Sequence, residues 1–169
     1  MSIVLFASLS LIWGPLAGLA LQPKAGDACS AAEHRQFDFW IGSWTVADAN
    51  GKELGRNEIS RVSDGCGLLE RWSGREGGTG TSLNFYDSRS LQWRQLWVGG
   101  GGLVLRLSGE FDGESMVLKG ERTGPRGVVL DQIRWTALPD GRVRQEWETS
   151  ADGGDSWSRV FLGYYSRRK

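Results

Sequence analysis

The sequence predicts an all-β fold: one antiparallel up-and-down barrel of about ten strands with a short helix at its start. Three observations lead there. Turn residues recur at short, fairly even spacing from Gly42 to the C-terminus. The segments between them have strand length, and every connection is short, so each strand must pair with the next. A meander of this size either curls closed or leaves two exposed edges that invite aggregation, and closure is the simpler solution. At 169 residues the chain suits one core and is short for two.

Residues Ile3 to Ala20 are almost wholly apolar, and Gln22, Pro23 and Lys24 end the run. The pattern predicts a signal peptide over 1–20, with the small residues of Gly18-Leu19-Ala20 at the cleavage positions. It lacks the usual Lys or Arg at the start, and a retained anchor is the alternative because the run approaches the roughly 20 residues that span a bilayer. Gly14-Pro15 and Gly18 interrupt it and favour cleavage. The expected product is periplasmic or secreted, without a stable membrane anchor. Lipid attachment at Cys29 is disfavoured, because Gly26-Asp27-Ala28 lacks the apolar residue expected three positions upstream.

Residues 21–33 read as a linker, and 34–169 as the barrel domain. Ala31 to Trp40 reads as the helix, with Ser30 and Glu33 in a capping-box pattern and Phe37, Trp40 and Ile41 on one face. Gly42 stops it. Strands are expected near 43–47, 53–62, 66–73, 81–87, 91–98, 103–111, 114–122, 128–138, 142–150 and 156–165. Asp48-Ala49-Asn50-Gly51, Asp64-Gly65, Asp112-Gly113, Pro139-Asp140-Gly141 and Asp152-Gly153-Gly154 supply the positive φ of tight turns. Longer breaks fall at Gly74 to Gly80, Gly99 to Gly102 and Thr123 to Gly127. Gly55, Gly109 and Gly120 fall inside strands, as the bends of a barrel require.

Cys29 and Cys66 are the two cysteines, and an oxidising compartment lets them pair. A metal site is a poor reading, because His34 is the single histidine and no Cys-x-x-Cys occurs. No cofactor is implied. Twenty basic residues balance twenty acidic ones, so no field of one sign gathers nucleic acid.

Period-two reading places polar groups among aromatics. Glu70 and Trp72 share a face, as do Asn84 and Tyr86, then Trp93, Gln95 and Trp97, then Val143, Gln145 and Trp147. Directed inward, these faces would line a lumen suited to a small apolar or aromatic ligand, with Glu70, Asn84, Gln95 and Gln145 fixing its orientation among Trp72, Tyr86, Trp97 and Trp147. The opposite register would put Leu69, Leu83, Phe85 and Leu96 inside, as a plain hydrophobic core. Even with the polar face inward, the bland alternative is that the amides satisfy buried indole N–H groups and one another. Arg71, Arg94, Arg106, Arg134 and Arg144 lie in mid-strand and read as solvated cross-strand partners of acids such as Glu146 and Glu148, unless one of them turns into the lumen.

Catalysis has little support. His34 lies in the leader segment, and Glu70 is a base only if desolvated, so no catalytic residue is assigned. Gly99 to Gly102 is not followed by a helix that would make it a phosphate loop. Three readings stay open: a binding protein, a lipocalin-type enzyme using Glu70, and a structural or interaction module with a filled barrel.

The string Phe37-Asp38-Phe39-Trp40-Ile41-Gly42-Ser43-Trp44 resembles the opening of an uncharacterised family of exported bacterial proteins with a lipocalin-like, or calycin, barrel. Gly65-Cys66-Gly67-Leu68-Leu69-Glu70, Ser82-Leu83-Asn84-Phe85-Tyr86-Asp87, Gln95-x-Trp97-Val98 and the stretch from Asp140 to Glu148 are similar to the same family. The resemblance runs from about His34 to the end and implies export and a barrel, but no activity. Gly42-x-Trp44 is similar to the first lipocalin strand, where the Trp closes the barrel floor under an Arg of the last strand. By position that implies Trp44 and Arg159. Nitrobindin-like barrels have a similar layout but hold haem through a late histidine, and none follows His34.

Overall fold

A computed structural model describes residues 29–168. The expected signal peptide over 1–20 and most of the expected linker lie outside the described residues. Ten strands form one closed antiparallel barrel: β1 (Gly42–Ala47), β2 (Glu53–Val62), β3 (Gly67–Gly74), β4 (Thr79–Asp87), β5 (Gln92–Gly99), β6 (Val104–Phe111), β7 (Ser115–Gly124), β8 (Gly127–Ala137), β9 (Val143–Ser150) and β10 (Ser158–Arg167). Each strand pairs with the next, and β1 closes the cylinder on β10 through Trp44 opposite Arg167 and Ala47 opposite Tyr164. The observed strands agree with the expected ones to within two residues at each end.

The named turn glycines Gly51, Gly65, Gly113, Gly141, Gly153 and Gly154 all have positive φ. Aspartates brace several of these turns from within. Asp48 Oδ1 accepts the backbone N–H groups of Asn50 and Lys52 at 2.8 and 2.9 Å, and Asp112 Oδ1 accepts those of Glu114 and Ser115. Those bonds and Arg134 hold the Asp112 carboxyl down at about 2. Gly109 and Gly120 permit the close approach of β6 and β7: a Cβ at either would lie 2.0 to 2.2 Å from a carbonyl oxygen of the neighbouring strand.

The expected short helical segment is present at the start of the described chain, where it forms a plug built of 3₁₀ turns. Two 3₁₀ turns, Ala32–Arg35 and Asp38–Trp40, are separated at Gln36-Phe37. The first has Ala31 at its N-cap position, one residue after the expected Ser30. An isolated helix of ten residues has little stability of its own, whereas a 3₁₀ turn nearly eclipses positions three apart. Phe37 and Trp40 use that geometry to stack, with ring centroids 4.8 Å apart, and both are fully buried in one end of the barrel. There they meet Trp93, Trp135 and Tyr165 edge-on or tilted. The Cys29–Cys66 disulfide ties the plug to the turn between β2 and β3, and Arg35 donates to the carbonyl of Gly65 in that turn at 2.8 Å.

Trp44 forms the floor, fully buried, and its indole N–H donates to the Trp40 carbonyl at 2.9 Å. The arginine over it is Arg167, 4.5 Å from the ring centroid, and not Arg159. The register explains the correction: Arg167 lies opposite Trp44, while Arg159 is near the far end of β10, where it pairs with Glu146 at 2.7 Å.

The outward positions of the wall carry charge, including Arg56, Glu58, Arg71, Arg106 and Lys119, all exposed. This is the composition of a wall in water rather than of a lipid-facing band. Arg94, Arg134 and Arg144 pair with Asp87, Asp112 and Glu146 on the same outer face, and none of the five mid-strand arginines enters the lumen. No helix among the described residues is long and apolar enough to cross a membrane.

Candidate functional site

Strand alternation decides which of the two sequence readings holds. Leu83 and Leu96 face each other across β4 and β5 on the outside, each 42 % exposed. Their sequence neighbours Ser82, Asn84, Gln95 and Trp97 therefore point inward. The polar and aromatic face is the inner one. The plug fills one half of the barrel, and a cavity of about 210 Å³ occupies the other, toward the hairpin tips at 74–79, 99–104 and 150–158.

Six of the eight expected lumen residues line this cavity: Glu70, Trp72, Gln95, Trp97, Gln145 and Trp147. Asn84 and Tyr86 do not. Inward positions along β4 descend from Gly80 at the mouth through Ser82 and Asn84 to Tyr86 at the plugged end, so the last two lie below the cavity. Asn84 is completely buried beneath Gln95, and Tyr86 packs edge-on against His34 with centroids 5.2 Å apart.

Two glycines allow the tryptophans to lie flat against the wall. A Cβ on Gly80 would sit 2.0 Å from the Trp97 ring, and one on Gly55 would sit 2.7 Å from the Trp72 ring. Trp72 meets Phe161 edge-on at the mouth, centroids 6.0 Å apart. Leu105, Ile133 and Trp135 close the cavity from below and from the far side.

One wall carries a continuous polar chain. Gln95 Nε2 donates to Asn84 Oδ1 at 2.8 Å, Asn84 Nδ2 to Ser82 Oγ at 2.8 Å, and Ser82 Oγ to Glu70 Oε2 at 2.6 Å. On the other side Asn57 Nδ2 donates to Glu70 Oε1 at 2.7 Å and to the Tyr165 hydroxyl at 3.3 Å. Tyr165 in turn donates to Gln145 Oε1. The chain therefore crosses β5, β4, β3, β2, β10 and β9, with Glu70 at its middle.

Burial pushes the Glu70 carboxyl up to about 7, although the hydrogen bonds from Ser82 and Asn57 favour its ionised form. Burial also raises the Tyr165 phenol well above its ordinary value, and the nearby Glu70 charge adds to that. The amides at the predicted lumen positions, Asn84, Gln95 and Gln145, accept no bond from an indole among the described residues. Trp147 Nε1 donates to Asp131 at 2.8 Å, Trp93 Nε1 to Gln36 at 3.2 Å, and Trp44 to the backbone. Three buried polar atoms of the interior have no hydrogen-bond partner among the described residues, Trp40 Nε1, Trp135 Nε1 and Asn57 Oδ1.

The sequence reading missed Asn57, Ser82, Tyr165 and the pair Arg122–Asp131, whose Nε and Oδ2 are 2.9 Å apart. Ser82 was legible, since it is two residues from Asn84 and on the same face. Asn57 was legible in part, as a polar residue alternating with Gly55 and Ile59. Tyr165 carried no local signal. Only closure of the barrel brings it to Asn57, 108 positions away.

No protein-family model matches the chain, and comparison with curated proteins returned no match.

Proposed function

We propose that this chain is an exported, lipocalin-like binding protein that holds a small apolar or aromatic molecule in its barrel lumen. The observation that carries this reading is a cavity of about 210 Å³ walled by tryptophans on several sides and by the Glu70 polar chain on one. A cavity of roughly 150 Å³ lined by apolar side chains accommodates benzene, so this one has room for a single ring with a short substituent. Apolar walls with a few convergent polar groups are the usual make-up of a ligand pocket. A barrel serving only as a structural module would be expected to fill that space with its own side chains. The disulfide supports an oxidising, exported setting.

The test is titration with p-cresol and benzyl alcohol, read by tryptophan fluorescence and by ligand-observed NMR. Saturable binding is expected, and Leu105→Trp should abolish it by filling the lumen. Absence of binding by both compounds, or binding that Leu105→Trp leaves intact, would count against the reading.

The raised carboxyl of Glu70 also favours a second reading, an enzyme in which Glu70 is the acid or base. Turnover of a bound compound that Glu70→Gln abolishes while binding persists would select it.

A further inference from the structure

Among the described residues two buried carboxylates point into the barrel, and they differ in their partners. Asp131 on β8 is neutralised: Arg122 donates to one oxygen at 2.9 Å and Trp147 to the other at 2.8 Å. Glu70 on β3 is equally buried, yet its partners Asn57 and Ser82 are neutral, and no ion pair to it forms among the described residues. No Lys, Arg or His lines the cavity beside it.

Each Glu70 oxygen accepts one hydrogen bond and retains further acceptor capacity. Gln95, on the same wall, commits its Nε2 to Asn84, while its Oε1 accepts no bond among the described residues. The rings of Trp72, Trp97 and Trp147 line the same cavity, and their π faces attract cations. A buried carboxylate without a counter-charge, next to a second acceptor and within an aromatic wall, is a complement to a cation rather than to a neutral or anionic group.

We infer that the lumen selects small aromatic amines, bound as ammonium ions with the nitrogen on Glu70 and Gln95 and the ring among the tryptophans. This rests on the binding function proposed above and names its ligand class. A docked ammonium restores the ionised form of Glu70, whose proton leaves to solvent, so affinity falls on acidification. The other ionisable groups directed toward Glu70 do not mask this. Tyr165, which shares Asn57 with Glu70, stays neutral because burial raises its phenol.

Calorimetric titration of the disulfide-bonded protein with benzylamine, benzyl alcohol and benzoate tests the class, since the three share a ring and differ in charge. At pH 8 benzylamine is expected to bind roughly ten- to a hundredfold more tightly than benzyl alcohol, the worth of a charged hydrogen bond, with benzoate weakest. Its affinity should fall by up to roughly a hundredfold at pH 5, because the Glu70 proton must then be displaced. Glu70→Gln should remove the preference, so that the variant binds benzylamine no more tightly than it binds benzyl alcohol. If that variant does not fold, the ranking and pH dependence of the unmodified protein decide.

Benzyl alcohol or benzoate binding as tightly as benzylamine would overturn amine selection while leaving lumen binding in place. Benzylamine binding unaffected by Glu70→Gln would do the same. Failure of all three to bind would instead remove the lumen-binding function itself.

Discussion

Replacing Glu70 by Gln should change the pH dependence of stability more than stability itself. Glu70 lies fully inside the protein, and its carboxyl rises from an ordinary value of 4.5 to about 7. Between those values the folded protein keeps the proton and the unfolded chain releases it, so the folded state binds more protons. Stability must then fall as pH rises through this window, by about 1.4 kcal/mol per unit. The full span amounts to about 3 kcal/mol, present below pH 4.5 and lost above pH 7. Gln keeps the shape and two polar atoms but does not titrate.

Urea unfolding of both proteins at pH 5 and pH 8, without reductant, isolates the effect. Subtracting one protein from the other cancels the groups they share, including the turn aspartates Asp112 and Asp152, whose lowered values act in the opposite sense and at lower pH. The variant should gain roughly 2 to 3 kcal/mol relative to the parent on going from pH 5 to pH 8. A difference that is the same at both values would show that Glu70 does not titrate in this window and would refute the account of its burial.

Other expectations concern the frame around the site. Removing the disulfide by Cys29→Ser with Cys66→Ser opens a loop of sequence separation 37 and should cost about 4 kcal/mol in the chain-entropy model, read as a lowered urea midpoint. Arg167→Ala should cost about 1 kcal/mol through the lost contact with Trp44, whereas Arg159→Ala, an exposed pair with Glu146, should stay within about 0.5 kcal/mol. Equal effects would contradict the assignment of the floor arginine. Gly80→Ala drives a methyl group into Trp97 and should cost roughly 1 to 3 kcal/mol, with a changed near-ultraviolet circular dichroism spectrum; an unaltered spectrum would mean Trp97 does not lie over β4.

The hairpins were legible because turn chemistry is local. An Asp that bonds the backbone two residues on and a Gly that accepts positive φ need no distant partner, and Asp48 to Gly51 and Asp112-Gly113 form as their composition dictates. Short connections then leave nearest-neighbour pairing as the only topology, and a barrel follows from the number of strands. Export was inferred from a segment outside the described residues, and the Cys29–Cys66 pairing is consistent with it.

The direction of the faces was not legible. In β4 and β5 either set of alternate residues could have formed a core, since Leu83 and Leu96 are as apolar as Trp97 is large. The leader segment settled it by stacking Phe37 on Trp40 in one end of the barrel, a packing that needs Trp93 and Trp135 on the inside. The same holds for the floor. The resemblance to the first lipocalin strand implied an arginine of the last strand over Trp44, by position Arg159, but finding Arg167 there required the β1 to β10 register, which depends on closure between residues more than a hundred positions apart. Local rules therefore determined the strands, the turns and the disulfide partners. Long-range closure decided what those strands enclose, because a contact across the barrel leaves no trace in the residues adjacent to either partner.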